Sequence, residues 1–505
     1  MKKIGLIILF SFLPFIRLAA QISEIEQIFR SHNNDYVHYT SIVRNYDKEH
    51  NVLSQYGYFT NEPRADTIKG YSSFMIQNTT TGDIKHIFDL PKGYQVNDVR
   101  FVTLRKIDGV TTEDFCCFCG TRTELGNQGY LTRGFAGFFS MQQALNPSSS
   151  YTAKVRDVER TIALYRMVCY AEQHGHYYGY QNSFLDNAVL DIIGLDDTVY
   201  APSCFCRAKF YPDVYGGVRW DNNIRANSNE VLTDITLTDD YVVTVSNDIT
   251  GIEQWIRYSG QEDHLIWGGL ELNDSVNAIQ FTPLIIEPEC DSYNEIEKFF
   301  RYDPAKICFT TGNGIEVSYR VKFEKNEGLL NSQYDYPNGR LNFLRGTYLK
   351  STPLVNELIH LPANNATAVL FQERNSDIVS IITWKQNEYC RYPVKQYTDD
   401  NILFQSITLQ KRNGYEHLFW SGMEKNNVFS PLYLMSQRGE NGGGYEQTCH
   451  KENDVEAQPA TVQHQLIENR MRIIVRFPYN EITHPVTFIP LVDNEIEKEF
   501  PCIKE

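Results

Sequence analysis

Alternating apolar and polar residues dominate the chain. The stretch VLTDITLTDDYVVTVSND (231–248) alternates, breaks at the acidic pair Asp239-Asp240 and alternates again. A period of two places every second side chain on the same face of a β-strand. The stretch therefore predicts two antiparallel strands that are joined by an acidic turn.

Short strand-like segments recur along the whole sequence, and Gly, Asn, Asp or Pro bounds them. They include residues 70–78, 134–141, 161–170, 241–246, 314–323, 366–373, 378–384 and 471–478. Only the brief segment 22–31, in which Ile25 and Ile28 stand among polar residues, predicts a helix. Many short strands separated by regular turns indicate a sandwich, a barrel or a propeller.

A weak internal repeat favours the propeller. Asp234-Ile235 precedes Asp239-Asp240 as Asp191-Ile192 precedes Asp196-Asp197, with an offset of 43 residues. Related positions occur at 98, 278, 357 and 406. An interval of about 40–50 residues accommodates the four antiparallel strands of one blade.

These patterns predict an all-β fold, a β-propeller of six or seven four-stranded blades, with a multi-sheet β-sandwich arrangement as the alternative. Residues 21–505 form a single propeller-like domain in this interpretation. Insertions are expected near 105–114 and 283–304. We expect the C-terminal strands within 471–491 to pair with the first unit and close the ring, which would leave no free sheet edge.

The first twenty residues have the features of a secretory signal peptide. Lys2 and Lys3 precede an apolar run, and small residues follow it at Ala19-Ala20. The run is too short for an ordinary membrane span, although an N-terminal anchor is the alternative. The sequence thus predicts an exported protein that is periplasmic, outer-membrane-associated or extracellular.

The charge of the chain excludes one class of partner. Removing the leader, with Lys2, Lys3 and Arg17, takes the formal net charge from −16 to −19. Such an acidic chain repels nucleic acid, so nucleic-acid binding is not expected. Peripheral association with the cell envelope is compatible with export.

The eleven cysteines include two clusters on predicted strands, Cys116-Cys117-x-Cys119 and Cys204-x-Cys206. Cysteines two residues apart share a strand face. They could therefore bond to a neighbouring strand or bind a metal, but burial as small apolar side chains is the favoured interpretation. Their spacing is not that of a zinc site.

Candidate chemical groups are few, and no residue is assigned a catalytic role. His174 and His176 would share one face of a strand and form half of a metal site, but no third ligand is evident, so neither a metal nor a cofactor is predicted. Asp239 and Asp240 are expected to stabilise a turn by bonding to their own backbone. Trp220 and Trp267 border turns, and they are the candidate residues for contact with a ligand.

The Asp-Ile anchors, the strands that close on Gly and the Gly-aromatic strands together resemble uncharacterised secreted β-propeller proteins of anaerobic bacteria. This resemblance implies no activity. The leading hypothesis is a non-catalytic binding or scaffold module for a protein or a glycan. An extracellular glycan-active enzyme, a hydrolase or lyase with carboxylates in a central funnel, is the alternative, and a subunit of an envelope assembly is a third.

Overall fold

The chain folds almost entirely into β-strands. The first strands, in chain order, are β1 Glu24–Phe29, β2 Tyr36–Val37, β3 Ile42–Tyr46, β4 Asn51–Phe59, β5 Tyr71–Asn78, β6 Ile84–Asp89, β7 Tyr94–Arg105, β8 Thr112–Gly126, β9 Gly129–Ser140 and β10 Lys154–Asp157. Helix α1, Met141–Leu145, lies between β9 and β10, and the Ser140 side chain caps its N-terminus.

The middle of the chain continues in the same way. Its strands are β11 Ile162–Gln173, β12 Asp186–Asp196, β13 Ser203–Phe210, β14 Val218–Arg225, β15 Glu230–Leu237, β16 Tyr241–Asp248, β17 Gln254–Gly260, β18 Ala278–Ile286, β19 Glu297–Phe299, β20 Arg301–Tyr302, β21 Lys306–Phe309, β22 Gly314–Phe323, β23 Asn326–Asp335 and β24 Arg340–Leu349.

The C-terminal third contributes the remaining strands. They are β25 Pro353–Leu361, β26 Ala366–Glu373, β27 Val379–Lys385, β28 Glu388–Pro393, β29 Ile402–Arg412, β30 Tyr415–Glu424, β31 Leu432–Arg438, β32 Ala457–Pro459, β33 Thr461–Ile467, β34 Arg470–Arg476 and β35 Ile489–Pro490. The computed structural model describes these elements and the connecting residues 90–93, 106–111, 127, 146, 153, 158, 183–185, 211–213, 217, 238–239 and 310.

The described strands form seven sheets that follow one another along the chain. They are sheet 1 (β2–β6), sheet 2 (β7–β10), sheet 3 (β11–β14), sheet 4 (β15–β19 with β33 and β34), sheet 5 (β20–β24 with β32 and β35), sheet 6 (β25–β28) and sheet 7 (β29–β31 with β1). Neighbouring strands are antiparallel, apart from the parallel pair β18 and β34. The all-β prediction is thereby confirmed.

Each sheet contains one strand that lies against the corresponding strand of the next sheet. We call β3, β7, β11, β15, β21, β25 and β29 the lead strands. Successive lead strands are in contact from β3 to β29, and β29 in turn contacts β3. Side chains on one lead strand are therefore in position to bond to the backbone or side chains of the next.

The hydrophobic cores lie between successive sheets. One core lies between sheets 1 and 2 and includes Phe74, Phe118 and Phe139. A second lies between sheets 2 and 3, where the rings of Phe138 and Phe210 stack with their centroids 4.0 Å apart. A third lies between sheets 3 and 4. Strands such as β8 are thus buried on both faces, which explains the uninterrupted apolar run FCCFCG.

The N-terminal segment corrects one prediction. Residues 24–29 form strand β1, which pairs antiparallel with β31, and not the helix expected over 22–31. The spacing of Ile25 and Ile28 suits one helical face, but the unpaired edge of β31 offers backbone hydrogen bonds that an isolated short helix lacks. The first strand of the chain thus shares sheet 7 with strands about 400 residues later.

The C-terminal strands pair elsewhere. β34 pairs with β18 in sheet 4 and with β33, and β35 pairs with β24 in sheet 5. These strands therefore lie beside the middle sheets of the chain. The sequence had predicted that they lie beside the first unit. Residues 106–111, within the insertion expected near 105–114, form the turn between β7 and β8. No helix among the described residues is long and apolar enough to span a membrane.

Candidate functional site

A β-bulge occurs at the same place in five lead strands. The extra residue interrupts the pairing with the second strand of each sheet, and the residue that resumes the pairing is Asp98, Arg166, Asp234, Glu357 or Ser406. A bulge bends its strand and redirects the side chain beside it. The same local sequence recurs at all five, an apolar residue, any residue, a polar residue and an apolar residue: VNDV, LYRM, LTDI, VNEL and FQSI.

Charge alternates from one lead strand to the next, as far as Glu357, when one charged residue on β3 and one on β21 are included. Together with Arg44 on β3 and Lys306 on β21, the five positions give the order Arg44, Asp98, Arg166, Asp234, Lys306, Glu357 and Ser406. The seventh position, Ser406, is neutral, so no two like charges are adjacent in this order. Each charged residue therefore has neighbours of opposite sign, or neutral, on the adjacent lead strands.

Ion pairs join several of these residues across the sheets. Arg44 Nη2 lies 3.0 Å from Asp98 Oδ1 and 2.9 Å from Glu357 Oε1. Arg166 Nε lies 2.8 Å from Asp234 Oδ1, and its Nη2 lies 3.3 Å from Glu357 Oε1. Arg100, two residues beyond Asp98 on β7, pairs with Asp98 Oδ2 at 3.1 Å. We call Arg44, Asp98, Arg100, Arg166, Asp234, Lys306 and Glu357 the charge cluster.

Backbone amides occupy the remaining positions around two of the carboxylates. The amides of Val99 and Met167 donate to the two oxygens of Asp98, each at 2.9 Å. The amide of Ile307 donates to Asp234 Oδ2 at 2.9 Å. In both cases the carboxylate on one lead strand binds the backbone of the next lead strand. The residue that follows the bulge therefore holds neighbouring sheets in register.

A second contact recurs two residues before Asp98 and before Asp234, on the N-terminal side of each bulge. The amide of Val96 donates to Ser72 Oγ on β5 at 2.9 Å, and the amide of Leu232 donates to Ser203 Oγ on β13 at 3.0 Å. The serine belongs in each case to the preceding sheet. The bulge region of a lead strand is thus hydrogen-bonded to sheets on both sides.

Electrostatics keep Asp98 ionised. Burial alone would raise the pKa of this fully buried carboxyl, but the positive charges of Arg100, Arg166 and Arg44 outweigh that effect and lower the pKa to about 2. The guanidinium of Arg166 is held charged because the attraction of Asp234 and the other carboxylates exceeds the cost of burial and raises its pKa. Asp98 therefore holds no proton to donate near neutral pH.

The cations and the carboxylates of the cluster differ in exposure. The side chains of Asp98, Asp234 and Glu357 are 0%, 1% and 5% exposed. Those of Arg100 and Arg166 are 26% and 14% exposed, and Lys306 is half-buried. The accessible surface of this cluster therefore belongs more to its cationic side chains than to its carboxylates.

Asp191 lies away from the lead strands, which corrects its place in the predicted repeat. It is fully buried on β12, the second strand of sheet 3, and accepts bonds from Arg207 Nε at 2.6 Å and Tyr170 Oη at 3.1 Å. The position at 278 likewise begins β18, the fourth strand of its unit. The 43-residue offset therefore related different strands, whereas Asp98, Arg166 and Asp234 are equivalent at intervals of 68 residues.

The other candidate residues lie apart from the charge cluster. Trp220, on β14, is half-buried and packs against the core between sheets 2 and 3, with its indole nitrogen buried and without a hydrogen-bond partner. Asp239 is exposed just before the turn into β16. Trp267, His174 and His176 lie outside the described residues. Contact of Trp220 and Trp267 with a ligand stays a prediction, and within the part described no group of three or more His, Cys, Asp and Glu is arranged to hold a metal.

Comparison with known proteins gives weak similarity in structure alone. No protein-family model and no curated protein matches the sequence. Among solved structures of the β-propeller type, the polysaccharide lyase Uly1 is 10% identical, with 84% of this chain and 95% of the lyase covered and a TM-score of 0.40. The WD40 domain of SCAP from fission yeast is 7% identical, with 83% and 90% covered and a TM-score of 0.36.

A sialidase is similar to the same degree. The Trypanosoma rangeli sialidase is 8% identical and has a TM-score of 0.35. The alignment covers 82% of this chain but 59% of the sialidase, so this chain spans less than two thirds of that protein's length. At these identities and TM-scores the comparisons assign no activity to this chain.

Proposed function

We propose that the protein is an exported seven-bladed β-propeller that binds a ligand and catalyses no reaction on it. Seven consecutive sheets, the chain of contacts among lead strands that returns from β29 to β3, and the sharing of sheet 7 by β1 and β29–β31 support the propeller. In such a fold the lead strands surround the axis, and loops at either end carry the variable contacts.

The observation that carries the non-catalytic function is the pairing of the lead-strand carboxylates. Glycoside hydrolysis requires one carboxyl that donates a proton and a second carboxylate across the sugar. Asp98 has a pKa of about 2 and is bonded to arginines and amides, and Asp234 is bonded to Arg166 and to the amide of Ile307. Groups held in this way stabilise the fold and leave no free oxygen directed at a substrate.

The same arrangement indicates the chemistry of the ligand. The charge cluster presents Arg100 and Lys306 with part of their surface accessible, while its carboxylates are covered. A carboxylate, sulfate or phosphate group of a glycan or protein would find charge-assisted hydrogen bonds there. We therefore infer a ligand that carries an acidic group, encountered in the periplasm, at the outer membrane or outside the cell.

A glycan array with acidic and neutral members, run beside an assay for new reducing ends and unsaturated products, tests this function. We expect retention of acidic glycans with no product. Lys306→Met should weaken that binding about tenfold, the loss of roughly 1.4 kcal/mol of interaction. Lys92→Met, which removes the same charge from an exposed turn, is the matched control and should bind as the wild type does.

Two results would overturn the proposal. Product formation would establish an enzyme, and equal binding by the wild type and Lys306→Met would show that the charge cluster is not the binding site. An array of acidic peptides distinguishes a protein ligand from a glycan. The melting temperature of each variant shows whether a loss of binding comes from unfolding.

A further inference from the structure

Two thiols from different sheets meet in the core between sheets 2 and 3. The Sγ atoms of Cys117 on β8 and Cys169 on β11 are 3.3 Å apart. Both residues are buried in the core between sheets 2 and 3, where the rings of Phe138 on β9 and Phe210 on β13 also stack. We propose that Cys117 and Cys169 form a disulfide bond that joins the two sheets.

The geometry selects this pair among the described cysteines. Cys204 and Cys206 also approach each other, with Sγ atoms 3.9 Å apart. They lie two residues apart on one strand, however, where the extended backbone holds their Cα atoms at about 6.5–7 Å, near the limit that a disulfide tolerates. Cys117 and Cys169 lie on different strands, so their Cα atoms are not held apart by the spacing of one strand, and their sulfurs are the nearer pair, 3.3 Å apart against a bonding distance of about 2.05 Å.

The bond requires a disulfide as the oxidant. The thiolate of one cysteine attacks the donor disulfide and releases the first donor thiolate, and the second cysteine then attacks the mixed disulfide and releases the other. The protein loses two electrons and two protons. The donor disulfide takes up these electrons and protons and becomes two thiols. A disulfide-bearing oxidoreductase outside the cytoplasm supplies this chemistry, so the inference rests on the proposed export.

The order of events follows from burial. In the folded protein, desolvation raises the pKa of the Cys117 thiol well above its usual value, so little thiolate is present. The thiolate is the attacking species. The bond therefore forms while sheets 2 and 3 are still solvated during folding, and it is protected from reductants once they close.

Peptide mapping of the oxidised full chain tests the bond. The protein is refolded with oxidised glutathione, its free thiols are alkylated in denaturant, and it is digested with trypsin without reduction. We expect a linked pair of peptides, 107–122 with 167–207, and fragmentation should place the link at Cys117 and Cys169 and not at Cys116, Cys119, Cys204 or Cys206.

Matched variants make the assignment independent of fragmentation. Cys117→Ala and Cys169→Ala should lose the linked peptides, whereas Cys119→Ala, on the same strand and in the same core, should keep them. Reductant should lower the melting temperature of the wild type and leave that of Cys117→Ala unchanged. Alkylated Cys117 and Cys169 in the oxidised wild type, or a link that survives Cys117→Ala, would overturn the inference.

This test is separate from the test of binding. A protein that lacks the bond but retains acidic glycans leaves the proposed function intact. A protein that has the bond but binds no acidic ligand rejects the function and keeps the disulfide. If Cys117→Ala does not fold, the mapping of the wild type still decides the question.

Discussion

Arg166 and Asp234 lie 68 residues apart in the chain and occupy equivalent bulges on the lead strands of neighbouring sheets, with Nε 2.8 Å from Oδ1. The pair is buried, and the same carboxylate also accepts the amide of Ile307. A single residue position thus links three successive sheets.

Removing Arg166 from its ion pair with Asp234 should lower the free energy of unfolding. Arg166→Met leaves Asp234 and Glu357 as buried carboxylates without their common partner, so we expect the free energy of unfolding to fall by about 3–5 kcal/mol. Chemical denaturation measures the loss. A change below about 1 kcal/mol would show that the pair does not stabilise the fold.

A double-mutant cycle isolates the interaction itself. Combining Arg166→Met with Asp234→Asn should cost less than the sum of the single changes, with a coupling energy of about 1–3 kcal/mol. Arg133→Met with Glu124→Gln is the comparison, because that pair is about one third exposed. Its coupling should be below about 1 kcal/mol. Strict additivity at Arg166 and Asp234 would contradict the structure.

Glycines in the middle of sheet 2 are required by close packing. A Cβ on Gly137 would lie 2.5 Å from Phe118 Cζ and 2.8 Å from the backbone oxygen of Lys154. We expect Gly137→Ala to lower the free energy of unfolding by about 3 kcal/mol, because the backbone of β10 cannot move away without losing its pairing.

Gly126→Ala is the control for that substitution. Its added carbon would lie no closer than 3.4 Å to any neighbouring atom, so we expect a change within about 0.5 kcal/mol. Thermal or denaturant unfolding of the two variants, side by side, measures the difference. Equal stability of both variants would mean that Phe118 and β10 do not pack closely against Gly137.

Much of the fold could be predicted from the sequence. Alternation in 231–248 identified β15 and β16, because the period of two reports directly on a strand that is buried on one face. The segment 22–31 was assigned wrongly, since its conformation depends on β31, about 400 residues away in the chain. Local patterns do not encode which distant edge will be available to a short segment.

The charge cluster could be predicted only in part. Asp98, Asp234 and Glu357 belong to the predicted repeat, but Arg166 and Lys306 do not, because the search followed the acidic residues. The β-bulge defines the equivalent positions on the lead strands, and the charge at these positions alternates from one lead strand to the next. The pattern of an apolar residue, any residue, a polar residue and an apolar residue includes Arg166, but it also fits Asp191 in Val189-Leu190-Asp191-Ile192. Only the interval of 68 residues separates Asp98, Arg166 and Asp234 from Asp191.

Asp98 links neighbouring sheets as an ionised carboxylate, with bonds to Arg44 and to the amide of Met167. Since the pKa of Asp98 is lowered from 3.8 to about 2 in the folded protein, its charge stabilises the fold at pH values above about 4, and this contribution is lost as the pH falls toward 2. The loss of this contribution corresponds to roughly 2 kcal/mol. Glu124→Gln, in an ion pair that is about one third exposed, is the control and should change stability by less than about 1 kcal/mol.

The most direct measurement is the free energy of unfolding of the wild type and Asp98→Asn from pH 7 down to the lowest pH at which both remain folded. We predict that the wild type is more stable by at least about 2 kcal/mol above pH 5, and that the difference narrows as the pH falls below 4. A constant difference would show that folding does not lower the pKa of Asp98, and a difference that widens toward low pH would show that folding raises it. Either result would contradict the role of Asp98 as an ion-paired structural link.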